Sequence, residues 1–394
     1  MVRGKDEGFR WPTEGAGSSP SLFEGTWPER HVGKGEFRGL EFLHVNARSI
    51  INAVPASSKM PFRYTINAYR GCSHACVYCF ARPTHEYLGL GAGEDFERRI
   101  VVKVNAVELA RAELSSPRWR GDLIAMGTNT DPYQPAEGKY HLTRGIVAAL
   151  SERRNPFSIL TKSTLVLRDA SLLAEAARRT SVRVNLSVGT LDRQVWRLTE
   201  PGTPPPDKRL EVVRRLNEAG VPCGVLVAPV LPGLSDQDGQ VQAVVEACRQ
   251  AGAVSIATVA LHLRPGVREH FMSWLEGARP ELMALYLERF RRGAYQPRRE
   301  QQRLAALLAG ATQGPPPCPP GPASPTPGRA GHPGCSPRQD GAGHPGRLPP
   351  HGGAGHPGWA APKGRPRPPG PGRPPTLGTR DEEAQPVPAQ LTLC

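Results

Sequence analysis

Three cysteines lie within eight positions of the segment "YRGCSHACVYCFARPTH", residues 69–85. Cys72, Cys76 and Cys79 have the spacing C-x3-C-x2-C, although the whole chain has only eight cysteines. Thiolates ligate both zinc ions and iron–sulfur clusters, and three thiols on one loop beside Gly, Ser and His are not typical of a buried core. The segment therefore predicts a metal centre held by these three cysteines.

The three thiols leave two kinds of metal centre open. A structural zinc site needs a fourth ligand, which His74 or His85 could supply. Three thiolates also suit a four-iron cube in which one iron stays free for a small ligand. The spacing alone does not decide between these two centres.

The composition favours a reducing compartment and polyanionic partners. No run approaches twenty apolar residues, and the N-terminal "MVRGKDEGFRWPTEG" has no apolar stretch of a secretory signal. We therefore expect a cytoplasmic protein that does not bind membranes, in which clustered thiols bind metal instead of forming disulfides. The formal charge is +14, and the Pro-rich tail from residue 313 onward contributes +4 of it. The remaining +10 favours partners such as nucleic acid and says nothing about the fold.

The chain divides into three predicted parts. Residues 1–58 are rich in Gly and Pro and are expected to be an irregular extension, with one short strand at "LEFLHV". Residues 59–303 form the predicted core domain. Residues 304–394 contain three consecutive twelve-residue units that begin with "AGHPG" at Ala330, Ala342 and Ala354. Because a segment so rich in Gly and Pro buries little apolar surface, we expect this tail to be disordered.

The predicted core domain alternates short apolar runs with helical segments. The predicted strands are "FRYTIN", "DLIAMG", "FSILTK", "VRVNLSV", "PCGVLVAPV" and "VSIATVAL". Segments with helical spacing separate them, and the last of these, "SDQDGQVQAVVEACRQAG", is expected to start with Ser235 as its N-cap. Alternation of this kind predicts an α/β fold with a parallel sheet, either a partial barrel or a doubly wound sheet. Ligands of such folds bind at the carboxyl ends of the strands.

Unusual polar residues follow these predicted strands. The cysteine segment follows the first strand, "GTNTDPYQPAEGKY" the second and "TKST" the third, and "SVGTLD" ends the fourth. Because the carboxyl ends of parallel strands meet at one edge of a sheet, we expect these segments to form one site.

The cysteine segment resembles the signature of the radical S-adenosylmethionine (radical SAM) superfamily. The resemblance rests on C-x3-C-x-aromatic-C, with Tyr78 as the aromatic residue. The surrounding sequence, with "GTNTDPYQPAEGKY" and "FSILTKST", is similar to the branch related to spore photoproduct lyase, over residues 40–300. It implies a partial (β/α)6 barrel, a [4Fe–4S] cluster on the three cysteines, and an enzyme that cleaves S-adenosylmethionine reductively to a 5′-deoxyadenosyl radical. It also implies a reducing partner such as flavodoxin or ferredoxin.

The needs of that cofactor suggest its binding residues. Its carboxylate requires a cation, and Lys162 follows the third apolar strand at the expected edge; the resemblance points to the same lysine. The resemblance also places Tyr78 near the adenine. The candidates for the amino and ribose groups are Thr128, Asn129, Thr130, Asp131 and Ser187. Glu137 is a weaker candidate, because it could instead cap a helix that begins near Leu142.

The sequence departs from spore photoproduct lyase at one position. That enzyme uses a cysteine as hydrogen donor in the loop after the second strand, where this chain has Asn129. Repair of the spore thymine lesion by the same hydrogen-return path is therefore not expected. The substrate and the catalytic residues stay open, with nucleic acid as one candidate substrate. The alternative function is a non-enzymatic, zinc-bound module that binds nucleic acid.

Overall fold

The computed structural model of the chain describes residues 29–55, 58 and 60–311. Within this part the strands are β1 (Glu29–Val32), β2 (Glu41–Val45), β3 (Ile51–Ala53), β4 (Tyr64–Ile66), β5 (Tyr69–Arg70), β6 (Arg99–Lys103), β7 (Ile124–Met126), β8 (Phe157–Thr161), β9 (Val182–Ser187), β10 (Cys223–Val230) and β11 (Ile256–Ala260). The helices are α1 (Glu94–Arg98), α2 (Ala106–Leu114), α3 (Ala136–Tyr140), α4 (Leu142–Glu152), α5 (Ala170–Arg179), α6 (Arg193–Thr199), α7 (Pro206–Glu218), α8 (Asp238–Gln250), α9 (Val267–Ala278), α10 (Met283–Arg289) and α11 (Arg298–Ala311). Short 3-10 helices cover Gly35–Phe37, Arg82–Leu88, Thr164–Asp169 and Pro280–Leu282.

The main sheet has the strand order β11-β10-β9-β8-β7-β4-β3. The six strands β4, β7, β8, β9, β10 and β11 are parallel to their neighbours, and β3 adds an antiparallel edge. These six are the strands predicted from the sequence. Since β11 and β3 are the two edges and do not pair with each other, the sheet does not close into a full barrel. The prediction of an α/β fold with a partial (β/α)6 barrel is confirmed.

Helices cover the main sheet because its strands are apolar on both faces, as parallel strands usually are. Helix α7 packs on β9 and β10, α8 packs on β10, and α11 packs on β11. Ile159, Leu186 and Val225, from three neighbouring strands, are 0–1% exposed and belong to one hydrophobic core. This covered sheet gives the strand ends a rigid base.

A second sheet, of order β1-β2-β6-β5, differs from the expectation that residues 1–58 are irregular. The predicted strand "LEFLHV" is confirmed as β2, but β1 and β3 also form. Strand β2 pairs in parallel with β6, and β3 pairs with β4. Strands β2 and β3 pair with β6 and β4, which lie beyond the Gly- and Pro-rich segment, and β1 pairs with β2, so the composition of the segment gives little sign of them.

One predicted helix N-cap and the predicted end of the core domain also differ from the structure. Helix α8 has Gln237 as its N-cap, because Ser235 instead accepts a hydrogen bond from the backbone N–H of Leu231 at 3.0 Å. Helix α11 continues past the predicted core boundary at residue 303, and buried Leu304 packs into the main core. The three repeats of the tail lie outside the described residues. Among the helices that are described, none has the length and apolar character that a membrane crossing requires.

Candidate active site

The cysteine loop follows β5 and begins with a tight turn at Gly71. Gly71 has φ +78°, and a Cβ there would lie 2.8 Å from the carbonyl oxygen of Phe96 and 2.9 Å from Cε1 of His85. The backbone N–H groups of Ala75 and Cys79 then donate to the carbonyls of Cys72 and Cys76, each at 3.2 Å. Two successive turns therefore bring the three cysteines onto one compact loop.

The three thiols are free and shielded from solvent. Cys72 and Cys76 are buried and Cys79 is half-buried. Burial raises the pKa of each thiol, and that of Cys76 rises to about 12 even though Lys162 acts in the opposite direction. Because metal ligation requires thiolates, a bound cation would stabilise the deprotonated form against this burial. The donor set therefore suits a cationic metal centre.

In the described residues, the three thiols and the two nearby histidines are not gathered as the ligands of a single zinc ion would be. Tetrahedral zinc with bonds of about 2.3 Å holds its sulfur ligands about 3.8 Å apart. In the part of the chain that the structure describes, no cysteine of the loop belongs to a group of three ligand residues whose donor atoms all lie within 4.8 Å of one another. His74 Nδ1 instead faces Asp131 Oδ2 at 3.3 Å, and His85 Nε2 lies 2.9 Å from the carbonyl oxygen of Arg99.

Asp131 links the cysteine loop to the end of β8. Its Oδ1 accepts hydrogen bonds from Thr161 Oγ1 at 2.6 Å and from the backbone N–H of Tyr133 at 2.9 Å. Its Oδ2 accepts from the backbone N–H of Lys162 at 2.7 Å and also faces His74. Burial opposes ionisation of this carboxyl, but His74 and these hydrogen bonds outweigh it and lower the pKa of Asp131. Asp131 is therefore an ionised support of the loop.

The loop after β7 also supports the cysteine loop. Thr130 Oγ1 donates to the carbonyl oxygen of Gly71 at 2.7 Å, and Gln134 Nε2 donates to the same oxygen at 3.0 Å. Gln134 Oε1 accepts from the backbone N–H of Ser73 at 3.2 Å. The structure thus shows Thr130, which the sequence suggested as a cofactor ligand, binding the protein's own backbone.

Two more predicted cofactor-binding residues in the loop after β7 contact Asn67, which directly follows β4. Thr128 Oγ1 lies 3.4 Å from Asn67 Nδ2, and the backbone N–H of Asn129 donates to Asn67 Oδ1 at 3.3 Å. These contacts tie the ends of β4 and β7 together. A cofactor role for Thr128 and Asn129 stays a prediction.

Tyr78, Lys162 and Ser187 come together from three parts of the chain. Lys162 Nζ donates to Ser187 Oγ at 2.7 Å and lies 5.7 Å from the centroid of the Tyr78 ring. Ser187 Oγ donates in turn to the carbonyl oxygen of Ala228, also at 2.7 Å. The ends of β8 and β9 thus place a cation and a hydroxyl against the aromatic ring of the cysteine loop, and the Ala228 carbonyl on β10 holds the hydroxyl.

A buried ion pair holds Tyr78 in place, and it was not predicted from the sequence. The Tyr78 hydroxyl donates to Glu200, which forms an ion pair with Arg209. Arg209 is 1% exposed, and it also donates to the carbonyl oxygens of Ser187 at 2.9 Å and Pro204 at 2.8 Å. Burial opposes ionisation of Glu200, but Arg209, Lys162 and Tyr78 lower its pKa to about 2.

One signal in the sequence could have revealed Arg209. It lies three, four and seven positions before Val212, Val213 and Leu216 on α7, so helical spacing places it on the apolar face. A charged residue on a buried face needs a buried partner. The partner itself, Glu200, has no comparable signal.

The loop after α6 packs on the cysteine loop through Gly202. Its backbone N–H donates to the carbonyl of His74 at 3.1 Å. A Cβ at Gly202 would lie 2.2 Å from the carbonyl oxygen of Ser73, which no side chain can do without moving the backbone. Close backbone packing therefore fixes the shape of the cysteine loop.

Glu137 and two tyrosines near it in the chain have structural contacts. Glu137 is fully buried and accepts from the backbone N–H groups of Thr143 at 2.9 Å and Arg144 at 3.2 Å, which confirms that it caps α4. Tyr133 is fully buried in the main core. The Tyr140 hydroxyl lies 2.7 Å from His44 Nε2.

Known proteins are similar to this chain in sequence. The model of the radical SAM superfamily matches residues 66–243. The uncharacterized protein Rv2578c of Mycobacterium tuberculosis is 47% identical over 284 residues, which cover 71% of this chain and 84% of the relative. The uncharacterized protein MJ0683 of Methanocaldococcus jannaschii is 32% identical over 198 residues, or 50% of this chain and 70% of the relative.

A solved structure agrees with the fold. A mutant of spore photoproduct lyase, solved with dinucleoside spore photoproduct, superposes with a TM-score of 0.52 at 18% identity. The superposition covers 69% of this chain and 78% of that chain. The chain therefore belongs to the radical SAM superfamily of enzymes, whose cofactors are a [4Fe–4S] cluster and S-adenosylmethionine.

Proposed function

We propose that Cys72, Cys76 and Cys79 hold the [4Fe–4S] cluster, and that Tyr78, Lys162 and Ser187 bind S-adenosylmethionine beside it. The observation that carries this proposal is the position of Lys162. Its ammonium group lies against Ser187 and the Tyr78 ring, and its charge acts on the Cys76 thiol. A fixed cation next to the thiols suits the carboxylate of a cofactor that must reach an open iron.

The chemistry of the site then follows from its residues. When bound, the cluster supplies the electron that cleaves S-adenosylmethionine to a 5′-deoxyadenosyl radical, which abstracts hydrogen from a substrate. The protein positions the cofactor and keeps water away. Lys162 neutralises the cofactor carboxylate, and Glu200 holds Tyr78 in place for the adenine. A flavodoxin or ferredoxin is the proposed electron donor, and a reducing cytoplasm suits the free thiols.

Lys162→Ala should weaken S-adenosylmethionine binding by about ten- to a hundredfold. A charge-assisted hydrogen bond to the carboxylate contributes about 1.5–3 kcal/mol, and each 1.4 kcal/mol is tenfold in affinity. Cofactor titration of the reconstituted protein, followed by the electron spin resonance of the reduced cluster, measures this. Lys162→Arg should rescue binding only in part, because the planar guanidinium has a different reach and shape.

Iron content is the control for this variant. Lys162 is not a cluster ligand in the proposal, so the alanine variant should hold as much iron as the parent. Unchanged cofactor affinity would contradict the role of Lys162. Loss of iron together with affinity would assign the lysine to the support of the loop.

The substrate that the site supports best is a nucleic acid with an accessible base. Three rings lie next to the cysteine loop: Phe80, which follows Cys79, and His262 and Tyr295. The centroid of the His262 ring lies 6.1 Å from that of Phe80 and 5.7 Å from that of Tyr295. Phe80 is 49% exposed and Tyr295 is 40% exposed. We call these three rings the aromatic platform; exposed rings of this kind stack nucleobases.

Positive charge surrounds the aromatic platform. Arg264 is exposed and donates to the Tyr295 hydroxyl at 2.9 Å. Arg292 and Arg298 flank Tyr295 in the chain and are exposed, and neither has an ion pair with any residue of the described part. Arginines beside stacking rings are the usual arrangement for phosphates and bases of single strands. Spore photoproduct lyase, which shares the fold, was solved with a dinucleoside.

Binding of a fluorescent single-stranded oligonucleotide, followed by anisotropy, tests this substrate class. Phe80→Ala and Tyr295→Ala should each weaken binding by about tenfold, since stacking on one ring contributes about 1–3 kcal/mol. Tyr87→Ala is the matched control, because Tyr87 is 70% exposed and is not part of the aromatic platform. Arg292→Ala should lower the slope of log affinity against log salt by about one.

Two results would contradict the substrate class. The first is that the parent fails to bind the oligonucleotide at low salt. The second is that Phe80→Ala and Tyr295→Ala bind it as tightly as Tyr87→Ala. Cleavage of S-adenosylmethionine without substrate is measured separately, so a failure here leaves the proposed radical chemistry untouched. A colourless protein with stoichiometric zinc would instead support the non-enzymatic alternative.

A further inference from the structure

A second cluster of metal-ligating side chains lies on the second sheet, outside the proposed active site. Glu29 and His31 are on β1 and His44 is on β2. The antiparallel register places Glu29 opposite His44. Because side chains alternate between the faces of a strand, His31, two residues after Glu29, lies on the same face. One donor atom from each residue lies within 4.8 Å of the other two.

The two imidazoles are close, and Nε2 of His31 has no hydrogen-bond partner among the described residues. Their ring centroids lie 3.9 Å apart. His31 Nε2 is shielded from solvent and lies 3.1 Å from Glu29 Oε1, but the angle does not give a hydrogen bond. A buried nitrogen without a hydrogen bond carries a free-energy cost. A cation between this nitrogen and the carboxylate would remove that cost.

His44 is oriented by a residue from the helical layer. Its Nε2 lies 2.7 Å from the Tyr140 hydroxyl, which fixes the ring plane and leaves Nδ1 for another partner. Metal-bound histidines commonly have such a partner on the second nitrogen.

We propose that Glu29, His31 and His44 bind one divalent transition-metal ion of the zinc class. Two imidazole nitrogens and one carboxylate oxygen are preferred zinc ligands, and three protein ligands leave a fourth position for water. The Glu29 carboxylate offsets half of the added charge. Lys139, whose Nζ lies 5.1 Å from the centroid of the Tyr140 ring, is the nearby cation that acts against binding. The ion would join the edge strand β1 to β2.

Calorimetric titration of Zn²⁺ into the full chain, anaerobically reconstituted with iron and sulfide, tests this site. The parent should bind one tight equivalent that His31→Ala and His44→Ala both lose. Tyr140→Phe should weaken that equivalent by about tenfold, the lower end of what loss of such an orienting partner costs. Glu29→Gln should disturb the fold least of these variants, because the Glu29 side chain is 75% exposed. It too should lose tight binding.

The histidines of the tail supply the matched control. His344→Ala removes an imidazole from the second twelve-residue repeat and should leave the tight equivalent unchanged. Loss of tight binding in His344→Ala, or an unchanged isotherm in Glu29→Gln, would overturn the proposal. The comparison does not depend on the cysteines, because any Zn²⁺ that binds them does so equally in the parent and in every variant. A failure of the proposed radical chemistry would therefore not affect this test.

Discussion

The Cys76→Ala variant is expected to leave anaerobic reconstitution without a [4Fe–4S] cluster, while the parent takes up about four irons and four sulfides per chain. The remaining two thiolates cannot hold a cube firmly. Cleavage of S-adenosylmethionine to 5′-deoxyadenosine should be lost with the cluster, because the electron for it passes through the iron. Iron and sulfide analysis, visible absorption and detection of 5′-deoxyadenosine measure these losses.

Cys248→Ala is the matched control for this prediction. Cys248 is a fully buried, free thiol on α8, within the main core and outside the cysteine loop. The same substitution there should leave the iron content at the parent's level. A Cys76→Ala variant that holds as much iron as Cys248→Ala would contradict the assignment of the loop as the cluster site.

The second large effect is expected on stability. Arg209→Ala should lower the free energy of unfolding by about 3–5 kcal/mol, because it leaves the buried Glu200 carboxylate without its partner. Arg214→Ala, on the same helix, should change it far less, since Arg214 is half exposed and its pairs with Glu211 and Glu218 lie on the surface, where solvent screens them. Urea unfolding followed by circular dichroism measures both variants. Equal losses in the two would show that the buried pair contributes no more than a surface pair.

Lowering the pH should reduce the difference in the free energy of unfolding between Arg209→Ala and the parent. The pKa of Glu200 is about 2 in the folded parent and near 4.5 in the unfolded chain. A carboxyl with a lowered folded pKa stabilises the fold above its unfolded pKa, and this contribution is lost as the pH falls from about 4.5 to about 2. The variant's disadvantage should therefore be largest near neutral pH and shrink as the pH falls toward about 2, where Glu200 is protonated in the parent as well. A difference that stays constant over this range would contradict the charge as its cause.

The fold could be predicted from the sequence where the signal was local. Each parallel strand is a short apolar run, and helix-length segments separate the strands, so the six βα units were visible directly. Strands β1 and β3 were missed because they are short and half exposed, and pairing with β2 and β4 stabilises them. Ser235 looked like an N-cap by type, yet the turn after β10 engages its hydroxyl with Leu231. Tertiary context overrode the local preference at these positions.

Some features of the candidate site were likewise determined by the sequence, and others were decided only by the tertiary structure. By itself the sequence determined the three thiols, because their spacing on one loop is a covalent property of the chain, and it placed Lys162 and Ser187 at strand ends. Only the tertiary structure decided that Asp131 and Thr130 support the cysteine loop, since their partners, His74 and the carbonyl of Gly71, lie 57 and 59 positions away in sequence. It also decided that Tyr78 is fixed by Glu200 and Arg209. Hydrogen bonds and ion pairs between distant residues form only when the folded sheet brings its strand ends together, and no spacing along the chain records them.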